Sequence, residues 1–309
     1  TLKVFDSELK SYGGPLPEGY VPVIGPGMME PPAPLGLGGN CRTHLSMDNS
    51  ESYFYRCKIY GEAWASLSTD SSGGYSYLEA NDSSIDMGGN GYCIYADNGC
   101  HVVLSRCTMS SGNMFGIQDG NSSIQTQDVT GSCKGYGFLL HGGMHDLEDI
   151  GTIRMEHTDL TSKGPMFRCK STNVDIYLKN CRIISEDGVI LETMLTDDSF
   201  YYQTRSHAED DYGVQLCMES MEVLGDFHCQ DPERKTCLNL VDTTITGTVT
   251  GFPQLRLTEG SSFTAIHDSE ITLIGSDEGL DAAAGVTITV RGAGENKSLA
   301  SGGCLVFLA

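Results

Sequence analysis

The sequence predicts an all-β solenoid, a parallel β-helix, from three observations. A short pattern recurs at a near-constant period. Each recurrence alternates apolar residues with others. Turn residues, not helical stretches, separate the recurrences. The pattern reads apolar, any, apolar, any, any, small, any, apolar. It is clearest in Val102, Leu104, Cys107 and Met109, in Ile153, Met155, Thr158 and Leu160, and in Ile176, Leu178, Cys181 and Ile183. Ile124, Thr126 and Val129 follow it with Gly131 in last place. Upstream copies are Leu78, Ala80, Ser83 and Ile85 and, less cleanly, Ser52, Phe54, Cys57 and Ile59. The small places fall at 57, 83, 107, 129, 158 and 181, in steps of 26, 24, 22, 29 and 23 residues. A period in this range marks stacked repeats.

Apolar residues two apart define a strand with one buried face. The gap before the small residue reads as a bend into a second short strand. A further strand completes each unit: 91–96, 115–119, 136–141, 166–170 and 188–193. Asp97-Asn98-Gly99, Ser111-Gly112-Asn113, Asp119-Gly120-Asn121 and Glu186-Asp187-Gly188 supply the turns. No unit holds an amphipathic helical stretch, and the leucine-rich-repeat ladder is absent. Stacked coils of this kind bury their inward residues in a column, so each coil depends on its neighbours.

On these residues, 76–193 resemble the right-handed parallel β-helix superfamily typified by pectate lyases. The segments Gly213–Asp226, Thr236–Thr250 and Leu257–Ala265 also resemble secreted bacterial β-helix proteins of unassigned function. The resemblance covers roughly three quarters of the chain. It implies a right-handed coil and an extracellular or cell-surface setting. It implies no catalytic residue, because no stretch matches the calcium-binding Asp cluster or catalytic Arg motif of pectate lyases. One such fold hosts many activities.

Composition narrows the function. Against 41 Asp and Glu stand 19 Lys and Arg, a net charge of −22. That surface repels nucleic acid and anionic membranes and suits neutral sugars or cations. No apolar run approaches the ~20 residues of a membrane span. The 12 cysteines include no C-x-x-C and no zinc spacing. Cys57, Cys107 and Cys181 share the small inward place, where a thiol serves as a small apolar group. Cys93, Cys100 and Cys133 sit near turns, where disulfides are open to them. Many unpaired thiols and no visible signal peptide would also suit the cytoplasm.

Two regions follow in chain order. Residues 1–40 carry Gly13-Gly14-Pro15, Pro17, Pro22, Gly25-Pro26-Gly27 and Pro31-Pro32-Ala33-Pro34, and read as an extended N-terminal arm. Residues 41–309 read as one β-helix domain. Its early aromatics, Tyr53, Phe54, Tyr55, Tyr60, Trp64, Tyr75 and Tyr77, read as core, with a sugar-stacking platform as the sharper alternative. The coil is interrupted at 141–149 and 195–211, and both insertions leave from the same strand position, hence from the same side. Beyond the second, Val214, Leu216, Glu219 and Met221 fit the pattern. Strands continue at 238–241, 245–250, 255–257, 271–273, 286–290 and 304–308.

Side chains alternate along a strand. With Ile94, Ile117, Phe138 and Phe167 inward, Tyr95, Gln118, Leu139 and Arg168 face out from successive coils. His141 and Glu192 extend that face. His141, Arg168 and Glu192 then supply a proton acceptor, an anion or oxyanion stabiliser and a second acid/base, the parts needed for proton abstraction, elimination or glycoside cleavage. Tyr95, Gln118, His145, Asp197, Asp198, Tyr201 and Tyr202 would bind substrate, the last four from the acidic insertion. That insertion's carboxylates could take Ca²⁺, although no cation-loop spacing occurs, so no cofactor is expected. His141-x-x-x-His145 has zinc spacing only on a helix, which Gly142-Gly143 opposes, so no metal ligand is assigned. The nucleophile elbow, phosphate loop and dinucleotide fingerprint are absent. The expectation is an acid–base enzyme of lyase, isomerase or glycosidase type acting on a carbohydrate or other small polar substrate. The rival is a non-catalytic, adhesin-like solenoid that binds glycan or protein.

Overall fold

Coil after coil turns its first corner on two residues. In the computed structural model, which describes residues 1–13, 41–70, 74–142, 150–196, 212–258 and 260–308, the first of the pair is left-handed. Arg56, Asp82, Arg106, Asp128, His157, Asn180, Ser220 and Asp242 have φ between 47 and 55°. Such a backbone costs most L-residues energy, and Asn and Asp tolerate it best. Arg56 and Arg106 are held there by two-pronged pairs to Asp6 and Asp82, one coil back, at 2.7 and 2.9 Å. The second residue turns inward and, where it is Cys, Ser or Thr, donates to carbonyls left by the bend; Val129 and Met221 fill the same place without a donor. Cys107 Sγ lies 3.3 Å from both Ala80 O and Ser105 O. Cys181 does the same with Met155 O and Lys179 O, also at 3.3 Å, and Thr243 Oγ1 with Met218 O and Val241 O at 3.0 and 2.9 Å. Where it is Cys, Ser or Thr, the recurrent residue is therefore a corner donor as well as a core filler.

From that corner the chain runs through three faces. Sheet A has fourteen described strands from Leu2–Phe5 to Cys304–Leu308, all parallel except the short Lys297–Ser298. Sheet B has seven, Glu8–Lys10 to Arg182–Ser185, and a four-stranded sheet from Glu222–Leu224 to Leu280–Ala282 follows it in the chain. Sheet C has nine, Arg42–Met47 to Val249–Thr250. The early coils visit A, then B, then C, as in Cys100–Ser105, Thr108–Ser111 and Met114–Asp119; later coils use the four-stranded sheet in place of B, and those after Val249–Thr250 have no sheet C strand among the described residues. The described residues contain no helix. The molecule is the all-β parallel β-helix that the repeat predicts.

The predicted columns stand in register. Val102, Ile124, Ile153, Ile176, Leu216, Leu238 and Leu255 are consecutive partners and at most 1 % exposed. Phe115, Phe138 and Phe167 form a ring column with centroids 5.8 and 5.9 Å apart. The pattern after the long insertion is two residues off. Lys179 pairs with Glu219, so the corner residue after Cys181 is Met221, 40 residues on, and Glu219 faces out.

Residues read as an arm contain the first coil's strands. Leu2–Phe5 pairs with Ser52–Tyr55 and Glu8–Lys10 with Lys58–Tyr60. Residues 14–40 lie outside the described residues. The insertions at 141–149 and 195–211 both attach between a sheet C strand and the next sheet A strand, since Phe138–His141 and Val189–Met194 precede them. All twelve cysteines are free, including Cys93, Cys100 and Cys133, which are buried. Burial pushes the Cys133 and Cys229 thiols up to about 12, the expected effect of desolvating a thiolate.

Candidate active site

The outer face of sheet C carries two adjacent columns. In one, Ser68, Tyr95, Ile117, Leu139, Arg168, Glu192 and His228 are successive partners. In the other, Asp119, His141, Lys170 and Met194 follow one another. Asp97 heads this second column, because its neighbour Ala96 pairs with Gln118. Strand ends place these side chains at the corner where sheet C hands over to sheet A.

The polar groups converge. The Tyr95 hydroxyl lies 3.1 Å from Asp97 Oδ1 and 3.4 Å from Asp119 Oδ2, so one phenol proton serves either carboxylate. Asp119 Oδ1 is 3.5 Å from His141 Nδ1, within ion-pair reach. Lys170 is the next residue along the column. Exposure is 8 % for Asp97, 5 % for Asp119, 3 % for His141 and 4 % for Lys170, so the charges sit in a medium that strengthens their interactions. Beside them, Arg168 Nε donates to Glu192 Oε2 at 2.6 Å. The Arg168 guanidinium also lies 3.9 Å from the Tyr136 ring centroid and donates to the Tyr136 hydroxyl.

An apolar wall continues the same face. Trp64, Ala65, Tyr92, Tyr95, Met114, Ile117 and Leu139 form a hydrophobic cluster separate from the coil interior, each at most 4 % exposed. The Arg42 guanidinium lies 4.1 Å from the Trp64 ring.

Of the expected site residues, Tyr95, His141, Arg168 and Glu192 share this face. His141 lies diagonally from Arg168, since its partner Lys170 is two residues further along the same strand. Gln118 does not belong to it. Gln118 points inward, fully buried, and Ile117 takes the outward place. Gly116 explains the swap. It occupies the inward position between Ile94 and Phe138, where a Cβ would meet Ile94 Cγ1 at 2.7 Å and Phe138 Cε1 at 3.2 Å. Once Gly116 faces in, Gln118 must too. Its Nε2 donates to Gly120 O at 2.6 Å and Ser122 Oγ at 3.2 Å, which makes the buried amide tolerable. His145, Asp197, Asp198, Tyr201 and Tyr202 lie outside the described residues. Asp97, Asp119, Lys170 and Tyr136 were missed. The two Asp residues read as turn formers, although their place at the end of a sheet C strand is the place of His141. Among the described residues no group of His, Cys, Asp and Glu is arranged to hold a metal ion.

The outer face of sheet A, in its first coils, is a second candidate surface. Phe5 and Tyr55 stack at 5.0 Å, Tyr53 and Tyr77 lie 5.6 Å apart, and Tyr75 meets His101 at 5.5 Å. Phe5 and Tyr75 are 51 % and 44 % exposed. Tyr77 donates to Glu79 at 2.7 Å, and Asn81 donates to the other oxygen of Glu79, also at 2.7 Å. Burial and the Glu79 carboxylate hold the Tyr77 phenol well above its usual range.

No family model, no curated protein and no solved structure matches this chain.

Proposed function

We propose that the chain is an acid–base enzyme of the lyase, isomerase or glycosidase type, acting on a carbohydrate or other small polar substrate at the outer face of sheet C. One observation carries the reading: Asp97, Asp119, His141 and Lys170, four buried titratable groups, stand in one column on successive coils, with Tyr95 between the two carboxylates. Clustered buried ionisable groups are a mark of function. The geometry also redistributes the roles expected from sequence. Arg168 is engaged by Glu192 and Tyr136, which favours a positioning role for that trio. Proton transfer then falls to the Asp97–Asp119–His141 group.

The carboxylate pair favours glycoside cleavage within the class. Asp97 and Asp119 stand at the ends of neighbouring sheet C strands, whose backbones are ~4.8 Å apart, and both carboxylates reach the one Tyr95 hydroxyl. Carboxyl groups about 5 Å apart suit a double displacement, in which one carboxylate attacks the sugar carbon and the other carboxylic acid protonates the departing oxygen. Water then releases the sugar, with the second group acting as base. The resemblance to the pectate-lyase-like superfamily, with its extracellular setting, supports a carbohydrate substrate. The test is turnover on a panel of polysaccharides, scored for new reducing ends and for unsaturated products. Asp119→Asn is expected to lower turnover at least ~100-fold, the usual scale of a lost acid or base. Equal turnover in Asp97→Asn, Asp119→Asn and His141→Gln, all folded, would sink the assignment.

A second reading has its own observation. The sheet A platform offers exposed ring faces beside Glu51 and Glu79, a combination that suits a neutral glycan: rings against sugar C–H faces, carboxylates accepting from hydroxyls. This supports a binding, adhesin-like role. Retardation in gels cast with neutral polysaccharide, lost in Tyr53→Ala with Tyr77→Ala, is the expected result. Unretarded wild-type protein removes this reading.

A further inference from the structure

We propose that a cleft further along the coil, away from both surfaces above, binds a small ligand through a carboxylate or phosphate group. The cleft has a volume of about 350 Å³ and lies where sheet C strands Asp226–Cys229 and Val249–Thr250 pass into sheet A. Arg234, Lys235 and Arg291 line it, with Asp231 the one carboxylate among its lining residues. Three cations in one lining stand out in a chain of net charge −22, even with Glu233 beside Arg234 and Glu270 accepting from the Gly251 N–H at 3.1 Å. The long-range field repels anions, so recognition must come from short-range contact.

Arg291 supplies that contact. Thr272 pairs with both Gln254 and Arg291, which sets these three residues side by side along the outer face of sheet A. The Arg291 guanidinium lies 4.1 Å from the Phe252 centroid. Stacking uses the face of the guanidinium and leaves its N–H edge in plane, the geometry that takes an oxyanion by two hydrogen bonds. Arg234 is already balanced, 3.3 Å from Asp231 and 3.9 Å from Glu233 with its side chain 7 % exposed, so it shapes the wall. The Gln254 amide and the Thr236 hydroxyl add polar groups for the body of the ligand.

The backbone beneath is strained to present the ring. Phe252 has φ 55° and follows Gly251 at φ 86°. A bulky residue in the left-handed region persists only when its surroundings hold it, and such residues gather at ligand clamps. Here Thr272 Oγ1 donates to Phe252 O at 3.1 Å. A Cβ at Gly251 would stand 1.8 Å from Cys229 O, so only glycine lets the chain approach this closely. A bulky apolar residue costs energy at 252. A ring there under Arg291 explains the choice.

Titration calorimetry of the whole chain with inorganic phosphate, and separately with malonate, tests the site. The expected result is one saturable site per chain for at least one of the two. Preference for phosphate would identify a phosphorylated ligand, and preference for malonate a carboxylated one. Arg291→Gln is expected to weaken binding at least tenfold, while Arg182→Gln, an exposed arginine on another face, leaves it unchanged. Phe252→Gly relieves the strain and removes the ring while keeping Arg291, and should also weaken binding. Absence of saturable binding for both anions, or wild-type affinity in both Arg291→Gln and Phe252→Gly, overturns the proposal.

Discussion

The outer faces of sheets A and C are built from the same coils but are opposite in character. Sheet A presents what a solenoid surface ordinarily presents. Its outward columns hold mixed polar and aromatic residues, and its ion pairs are partly exposed, as with Lys179 and Glu219 at 2.5 Å. Over its middle strands, Ala65–Asp70 to Phe138–His141, sheet C is buried on both sides. Its outward Tyr92, Met114, Ile117 and Leu139 are as inaccessible as the coil interior, and Asp97, Asp119, His141 and Lys170 are nearly so, while Arg168 and Glu192 beyond them are half-buried. Alternation runs unbroken along sheet A, whereas sheet C strands turn two consecutive residues inward, as Cys93-Ile94 and Phe115-Gly116 do, and the meaning of "outward" differs too. On sheet A it means water. On sheet C it means a second core with titratable groups at its edge.

The largest effects should separate the two faces. Ile117→Ala on sheet C is expected to cost about 2–5 kcal/mol, as a core truncation does. Val103→Ala, partly exposed on sheet A, should stay within about 0.5 kcal/mol. Urea denaturation of the two variants measures the contrast, and equal small losses would break it.

A pH effect comes next, and belongs to the interior. His44 packs edge-on against Phe54 at 4.9 Å, its Nε2 lies 2.9 Å from Ser52 Oγ, and burial lowers its pKa to about 4. Its folded pKa lies below the unfolded value of 6.5, so between these values the unfolded chain binds the extra proton. Stability is thus expected to fall as pH drops from 6.5 towards 4, by about 2–3 kcal/mol in all from this residue. His44→Asn should flatten that part of the Tm–pH curve. An unchanged slope would show that His44 is not the titrating group.

Gln118→Leu should cost about 1–3 kcal/mol, read by the same denaturation, because it removes the amide donor from the Gly120 carbonyl. A neutral result would mean that the amide contributes only volume. The smallest change in stability is expected for Tyr53→Ala on sheet A, within about 0.5 kcal/mol. A core-sized loss there would erase the difference between the faces.

Much of the fold was legible because its rules are local. Cys107, Cys181 and Thr158 mark corners wherever they recur; the two thiols approach bend carbonyls two residues back and one coil back, and Thr158 donates to the carbonyl two residues back and meets the Thr126 hydroxyl one coil back. The site was legible only in part. His141, Arg168 and Glu192 stand on one face as the alternation implied, and Tyr95 joins them. Gln118 was assigned to the wrong side because Gly116 counts as neither apolar nor polar in a pattern. Its inward place shows only once the Phe138 ring is seen filling the space. Asp97 and Asp119 were passed over because a residue before Asn-Gly or Gly-Asn reads as a turn former.

The sequence by itself determined the coil: its period, its three-strand units and the inward columns of sheet A. These depend on alternation and on near neighbours along the chain. The tertiary structure decided which outward residues are buried and which carboxylates meet. Partners there are a full coil apart in the chain, as Asp97 and Asp119 are. The length of each turn sets the register that joins them, and no local pattern records the burial of the outer face of sheet C.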